Sequence, residues 1–238
     1  MFIPIRDDAP TVRTPYVTIA LMFINGLIFL YMISQGNAGF RYLTVQYGYI
    51  PFELTHSVEL TPQSPASVFL TMFTSMFMHG GLWHLLGNML FLWIFGNNIE
   101  DYFGSVRFII FYIVSGLAAI ALYTIFTPDN QIPLIGASGA IAGVMGAYMV
   151  LHARARITVL IFFFIITFVH LPAKMVLGIW FMIQLFMALV GSSSGGGVAW
   201  LAHVGGFGFG YLLLRLLVKW RGKGIGPGGD QRVYRVHW

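Results

Sequence analysis

Apolar runs at about residues 16–34, 82–99, 106–126, 138–151, 157–171, 173–190 and 198–218 alternate with short polar or basic segments, and they constrain this chain more than anything else in it. Eight acidic and 13 basic residues accompany 22 phenylalanines, and the mean hydropathy is +0.79. A chain so composed cannot cover its apolar surface with charge in water, so its solvent is lipid. The reading is an all-α polytopic membrane protein. With no cysteine, disulfides, zinc–thiolate sites and iron–sulfur clusters are excluded. The net charge of +5 does not point to nucleic acid, because the basic residues flank the apolar runs and form no single patch. The N-terminal MFIPIRDDAPTVRTP makes a poor signal peptide, since no small-residue cleavage pattern follows the run that begins at Tyr16; that run is expected to be retained as a first span.

Charge chooses among topologies. A crossing helix needs roughly 20 residues, and 138–151 and 157–171 are both short. If 157–171 does not cross, the remaining runs give six spans with both termini in the cytoplasm. Arg6, Arg13, Arg107, Arg154, Arg156, Lys174, Lys219, Arg221, Lys223, Arg232 and Arg235 then lie inside, Arg215 can snorkel to that side, and Arg41 alone lies outside. A seventh crossing weakens this pattern. The loop from Gly36 to about Gly81 is long for a connection, and its aromatic, apolar FRYLTVQYGYIPFEL and PASVFLTMFTSMFMHG predict short amphipathic helices in the outer interface. The chain divides into a membrane domain over residues 1–218 and a basic, glycine-rich cytoplasmic tail over 219–238, RGKGIGPGGDQRVYRVHW in part, suited to anionic headgroups.

In this six-span order His79, His84 and Asn88 fall at the outer end of the second span, Ser138 opens the fourth at the same side, and His203 lies in the outer third of the sixth. Polar groups at membrane depth are costly and face the bundle interior. Small residues say which helices touch: Ser138, Gly139, Gly143 and Gly146 thin one face of the fourth span, and Ala202, Gly206 and Gly210 repeat every four residues on the sixth. Close approach of these faces brings the His203 imidazole toward the Ser138 hydroxyl, the minimum apparatus for nucleophilic acyl transfer. Taken alone, Ser138 also reads as a helix cap or a hydroxyl bonded back to its own helix, and His203 as a packing residue. A channel or transporter would distribute polar residues from face to face, whereas here they cluster on one side. Zinc hydrolysis is disfavoured, because His79 and His84 lack the HExxH arrangement and no neighbouring Glu or Cys completes a ligand set. No metal or cofactor is expected.

These motifs resemble those of the rhomboid family of intramembrane serine proteases. HGGLWHLLGN carries His79, His84 and Asn88, GASG carries Ser138, and AHVGGFGFG carries His203, Gly206 and Gly210; the likeness runs from TPYVT to about Leu217. The resemblance implies a rhomboid-like six-helix bundle with a Ser138–His203 dyad lacking a third acidic member. It assigns the oxyanion hole to the Asn88 and His84 side chains and the Ser138 backbone N–H. Gly136 and Gly139 then permit a tight approach to the nucleophile, and His79 supports the loop. It further implies single-span membrane proteins as substrates, reaching the site laterally between spans two and five. Trp83, Phe91 and Trp93 on span two and Trp180, Phe181 and Gln184 on span five are the candidates for that gate. The alternative within the family is an inactive member that binds transmembrane helices. A prokaryotic inner membrane is the expected location. The oligomeric state stays open, with a monomer sufficient. Two departures stand out. Ala142 occupies the position where many bacterial relatives place a tyrosine that stacks on the histidine, so Phe207 or a residue of span two is expected to hold His203. Leu70–Thr71 stands where some relatives have Trp-Arg. ITVLIFFFIITFVHL, between spans four and five, looks like a subgroup feature.

Overall fold

Glycine and proline mark several boundaries of the apolar runs in the computed structural model, with Pro15 and Pro172 just before α-helical runs and Gly104 between two of them; residues 2–60, 67–162, 166–190 and 199–221 are described. Helix α1 spans Tyr16–Ser34. The long first loop that follows folds into α2 (Gly36–Tyr47), α3 (Pro51–His56), α4 (Val68–Thr74) and a 3-10 turn at Ser75–Phe77. Then come α5 (Leu82–Phe103), α6 (Ser105–Phe126), α7 (Ser138–Leu151), α8 (Ala173–Val190) and α9 (Trp200–Arg221). Among the described residues four helices are long and apolar enough to cross a membrane: Tyr16–Ser34, Ser105–Phe126, Ala173–Val190 and Trp200–Trp220. Helix α5 matches them in length but is more polar, with His84, Asn88, Asn98, Glu100 and Asp101 along it.

Helix α7 is the axis of the molecule. Apart from Ser138 and its last turn it is buried almost without a break from Gly139 to Tyr148. It is enclosed by α5, α6 and α9, with its most extensive interface on α9. At 14 residues it is about 21 Å long, short of the roughly 30 Å of hydrocarbon. Because its neighbours wrap it, its N-terminal end can stop beneath them.

The all-α expectation requires a correction. The fold is mostly helical, but β1 (Phe2–Asp7), β2 (Arg156–Phe162) and β3 (Ile166–Pro172) form an antiparallel sheet in the order β1-β2-β3. The apolar segment 157–171, expected as a hydrophobic segment that does not cross, falls in the strands β2 and β3; positions 163–165 within it lie outside the described residues. Its β-branched and aromatic residues suit strands, and the N-terminal FIPIRD supplies the third. The β1–β2 register shifts between Pro4 and Arg6, an irregularity placed beside the residue that cannot donate to the ladder. The sheet sits at the C-terminal end of α7, opposite Ser138. The Tyr148 hydroxyl and the Asn98 amide both donate to the Asp7 carboxylate there, and burial raises the pKa of Asp7.

Glu100 and Asp101, given no role in the sequence reading, tie this end together. Glu100 is 2% exposed and accepts from the Val17 and Thr18 amides (2.9 and 2.8 Å), the Thr18 hydroxyl (2.9 Å) and the Ser105 hydroxyl (2.6 Å). It caps α1, which has no cap of its own. Asp101 accepts from the Val12 and Arg13 amides. Glu100→Ala leaves several buried donors unpaired, so it is expected to lower stability by about 3 kcal/mol, read from thermal unfolding in detergent, with Glu100→Gln recovering part of the loss.

His152 follows the last turn of α7, its amide donating to the Tyr148 carbonyl and its ring 5.0 Å from that of Tyr148. Burial lowers its pKa from 6.5 to about 4, with the Asp101 charge opposing the shift. The folded state thus binds fewer protons than the unfolded chain between these values. Stability is expected to fall as pH drops from 6.5 toward 4, by at most about 3 kcal/mol, and to level off below. Unfolding midpoints measured across this range for the parent and for His152→Gln check this; the variant should show the flatter profile.

Candidate active site

The chain approaches Ser138 along a segment clamped to the first loop. Tyr49 and Leu134 exchange backbone hydrogen bonds (3.0 and 2.7 Å), Phe52 N–H donates to the Asn130 carbonyl, and Gly136 N–H donates to the Ser75 carbonyl at 2.8 Å. The Tyr49 hydroxyl adds a side-chain link to Thr124 at 2.7 Å. The first loop thus fixes the entrance to α7. Gly136 has φ +136°, a region side-chain-bearing residues rarely adopt. A Cβ there would also lie 3.0 Å from His84 Nε2 and 3.6 Å from Ser138 Oγ. The His84 ring therefore lies against the backbone that introduces the serine.

Ser138 is the first helical residue of α7, with Ala137 at the cap position. Its hydroxyl makes no bond back to its own helix; it meets His203 Nε2 at 2.8 Å. The close approach of α7 and α9 brings them together. A Cβ on Gly206 would collide with the Gly139 carbonyl, and one on Gly210 with that of Gly143. A Cβ on Gly139 would meet Ala119 of α6 at 2.7 Å.

The remaining predicted residues lie on α5 or just before it. Asn88, 8% exposed, lies one turn into α5 beyond His84, and its Nδ2 donor has no acceptor among the described residues. His79 is fully buried with its ring edge-on to His84, centroids 5.1 Å apart. The first N–H groups of α7 have no intrahelical acceptor. A serine hydroxyl bonded to an imidazole, at a helix N-terminus with the His84 ring against the preceding backbone, is an arrangement able to support attack on a carbonyl carbon.

Expectations about what holds His203 need correcting. Phe207 stacks on Phe181 (4.7 Å, 25°) and not on the imidazole. The imidazole instead packs near Trp180 (5.9 Å) and edge-on to Trp200 (6.2 Å), and its Nδ1 is 2.7 Å from Gln184 Oε1. Trp180 and Gln184, read from sequence as gate candidates, thus face the histidine. Trp83 is 85% exposed at the other candidate wall. Ala142 is completely buried, where a larger side chain would have to displace its neighbours. The signal for Gln184 in the sequence was a single amide in the apolar MVLGIWFMIQLFMALV.

Comparison with known proteins gives the family of the chain. The rhomboid domain family model matches residues 66–220. RHOMBOID-like protein 4 of Arabidopsis thaliana is 30% identical over 172 residues, 67% of this chain and 38% of the relative. In Bacillus subtilis, the putative rhomboid protease YdcA is 30% identical over 108 residues (41% of this chain, 54% of the relative), and the rhomboid protease GluP is 38% identical over 76 residues (32% and 14%). The chain belongs to the rhomboid family. It is a polytopic membrane protein, and its matches span well under two thirds of each of these relatives' own lengths.

Proposed function

We propose that this chain is an intramembrane serine endopeptidase that hydrolyses peptide bonds within or beside the membrane spans of other proteins. The 2.8 Å contact between Ser138 Oγ and His203 Nε2 carries the reading. His203 accepts the hydroxyl proton as Oγ attacks the scissile carbonyl carbon, and the tetrahedral oxyanion is held by the Asn88 and His84 side chains and the Ser138 N–H. Collapse expels the amine, which takes the proton back from His203. Water, activated by the same imidazole, then cleaves the acyl-enzyme and restores the hydroxyl. His79 supports His84 from behind, and Gly136 and Gly139 leave room for a substrate backbone.

Six spans complete the proposal: α1, α5, α6, α7, α8 and α9, with the sheet and both termini on the cytoplasmic side and Ser138 toward the outside. The basic residues named above support it, as does the placement of sheet and serine at opposite ends of α7. The membrane domain is residues 1–218, and the tail is 219–238, of which 222–238 lie outside the described residues. Substrates are single-span proteins with helix-weakening residues near the cut, because a helical peptide bond must unwind before its carbonyl can be attacked. The location is a prokaryotic cell membrane, although relatives include a mitochondrial rhomboid protein of yeast, 36% identical over 93 residues, 37% of this chain and 27% of the relative. Reconstitution in liposomes with a single-span reporter tests the reading. A product cut within or next to the span is expected. A reporter that is bound but never cut, in the absence of any reaction with serine-directed probes, overturns the protease in favour of a helix-binding rhomboid.

A further inference from the structure

We infer that Gln184 is the positioning residue of the dyad, holding His203 in the one neutral tautomer that can deprotonate Ser138; this rests on the protease reading above. The Gln184 Oε1 lies 2.7 Å from Nδ1 of His203. An amide oxygen only accepts, so Nδ1 carries the hydrogen and Nε2 is left with its lone pair. That lone pair faces the Ser138 hydroxyl at 2.8 Å. Without a partner on Nδ1 a neutral imidazole samples both tautomers, and with Nε2 protonated it could not take the serine proton.

The surroundings explain why an amide fills this place. Helices α7 and α9 contain no carboxylate. The aromatic rings close to His203 are Trp180 and Trp200, and the titratable group facing it from α5 is His84. A carboxylate on α8 at this depth would carry a large desolvation cost, which a neutral amide avoids while still accepting one hydrogen bond.

Helix α8 adds a second observation. Its buried residues are Ala173, Val176 and Leu177 in the first turns, and beyond them only Gln184. The outer half of α8, otherwise apolar and exposed or half-buried, thus has its one buried residue at the position that bonds His203. The reactive tautomer is present only while α8 lies against α9.

The test uses the full chain in liposomes with a single-span reporter, comparing the parent with Gln184→Met, of similar length but without an acceptor, and Gln184→Glu, which keeps an acceptor oxygen. Loss of the tautomer-setting group of a Ser-His-Asp triad costs about 10⁴ in kcat; a neutral amide contributes less, so Gln184→Met is expected to lose about 10- to 100-fold in kcat. Its KM should stay within about twofold of the parent, and Gln184→Glu should recover most of the rate. A folded Gln184→Met at the parental rate overturns the inference, as does a loss confined to KM or an equal loss in both folded variants. Nitrogen-15 spectra of the intact parent give an answer that needs no variant: His203 protonated on Nδ1 is expected, and protonation on Nε2 overturns it. A parent that neither cleaves nor takes a serine-directed probe overturns the protease reading itself, whereas an active parent unaffected by Gln184→Met overturns this inference alone.

Discussion

Ser138→Ala is expected to leave the chain folded and to lower reporter cleavage by at least about four orders of magnitude, and His203→Ala by a similar factor. The substitutions remove the attacking oxygen or the imidazole hydrogen-bonded to it. Ser138 is only partly buried at the first turn of α7, so loss of its hydroxyl opens no large cavity. His203→Ala frees Gln184 and loosens the Trp180–Trp200 surroundings, so its stability should drop more than that of Ser138→Ala. The two groups act in one step, and the double variant should be no slower than either single one. Single-turnover cleavage in liposomes, with thermal unfolding as the folding control, checks all three. An additive double variant would indicate that the two side chains work independently.

The second large effect concerns folding. Gly210→Val and Gly206→Val are expected to abolish recovery of folded protein. At both positions a Cβ would run into the backbone carbonyl of a residue on α7, Gly143 for one and Gly139 for the other. Backbone cannot rotate aside as a flexible side chain does. Helix α7 would have to leave α9, exposing the most extensive helix–helix interface in the molecule. A backbone collision at this seam belongs with the largest single-substitution effects, above about 4–5 kcal/mol, a large share of the roughly 5–15 kcal/mol that holds a domain folded. Gly208 is the internal control, since a Cβ there has nothing within 4 Å. Gly208→Ala should be tolerated, or add about 1 kcal/mol through helix propensity. Size-exclusion profiles and protease resistance in detergent separate these outcomes, and a well-folded Gly210→Val would refute the packing account.

Those glycines show what was legible in the sequence and what was not. The Ala202, Gly206 and Gly210 spacing identified one seam of α9, because small residues at every fourth position lie on one face. Gly205 could not be assigned, yet it serves a different seam, where a Cβ would meet Leu122 of α6 at 2.8 Å. Ser138 and His203 were legible because membrane depth is one-dimensional, and order along the chain nearly determines it. Their meeting distance, and the partner on the far side of the imidazole, depended on the rotation of α8, which a nearly uniform apolar sequence does not encode. Gln184 therefore read as one of several gate candidates. The sheet escaped detection for another reason. Apolarity and length made 157–171 a membrane segment in either conformation, and its β-branched residues took on meaning only with β1, whose FIPIRD sits some 150 positions upstream. Buried Glu100 was invisible because its donors belong to the first turn of a distant helix, α1.

Labelling with a fluorophosphonate, followed by mass-spectrometric location of the adduct, tests the central claim most directly. The reagent requires a serine whose proton is removed by a neighbouring base, but requires no knowledge of the natural substrate. In the membrane-reconstituted full chain the account predicts a single adduct on Ser138 that vanishes in His203→Ala. An adduct on another serine, or unchanged labelling of Ser138 without the imidazole, would contradict it.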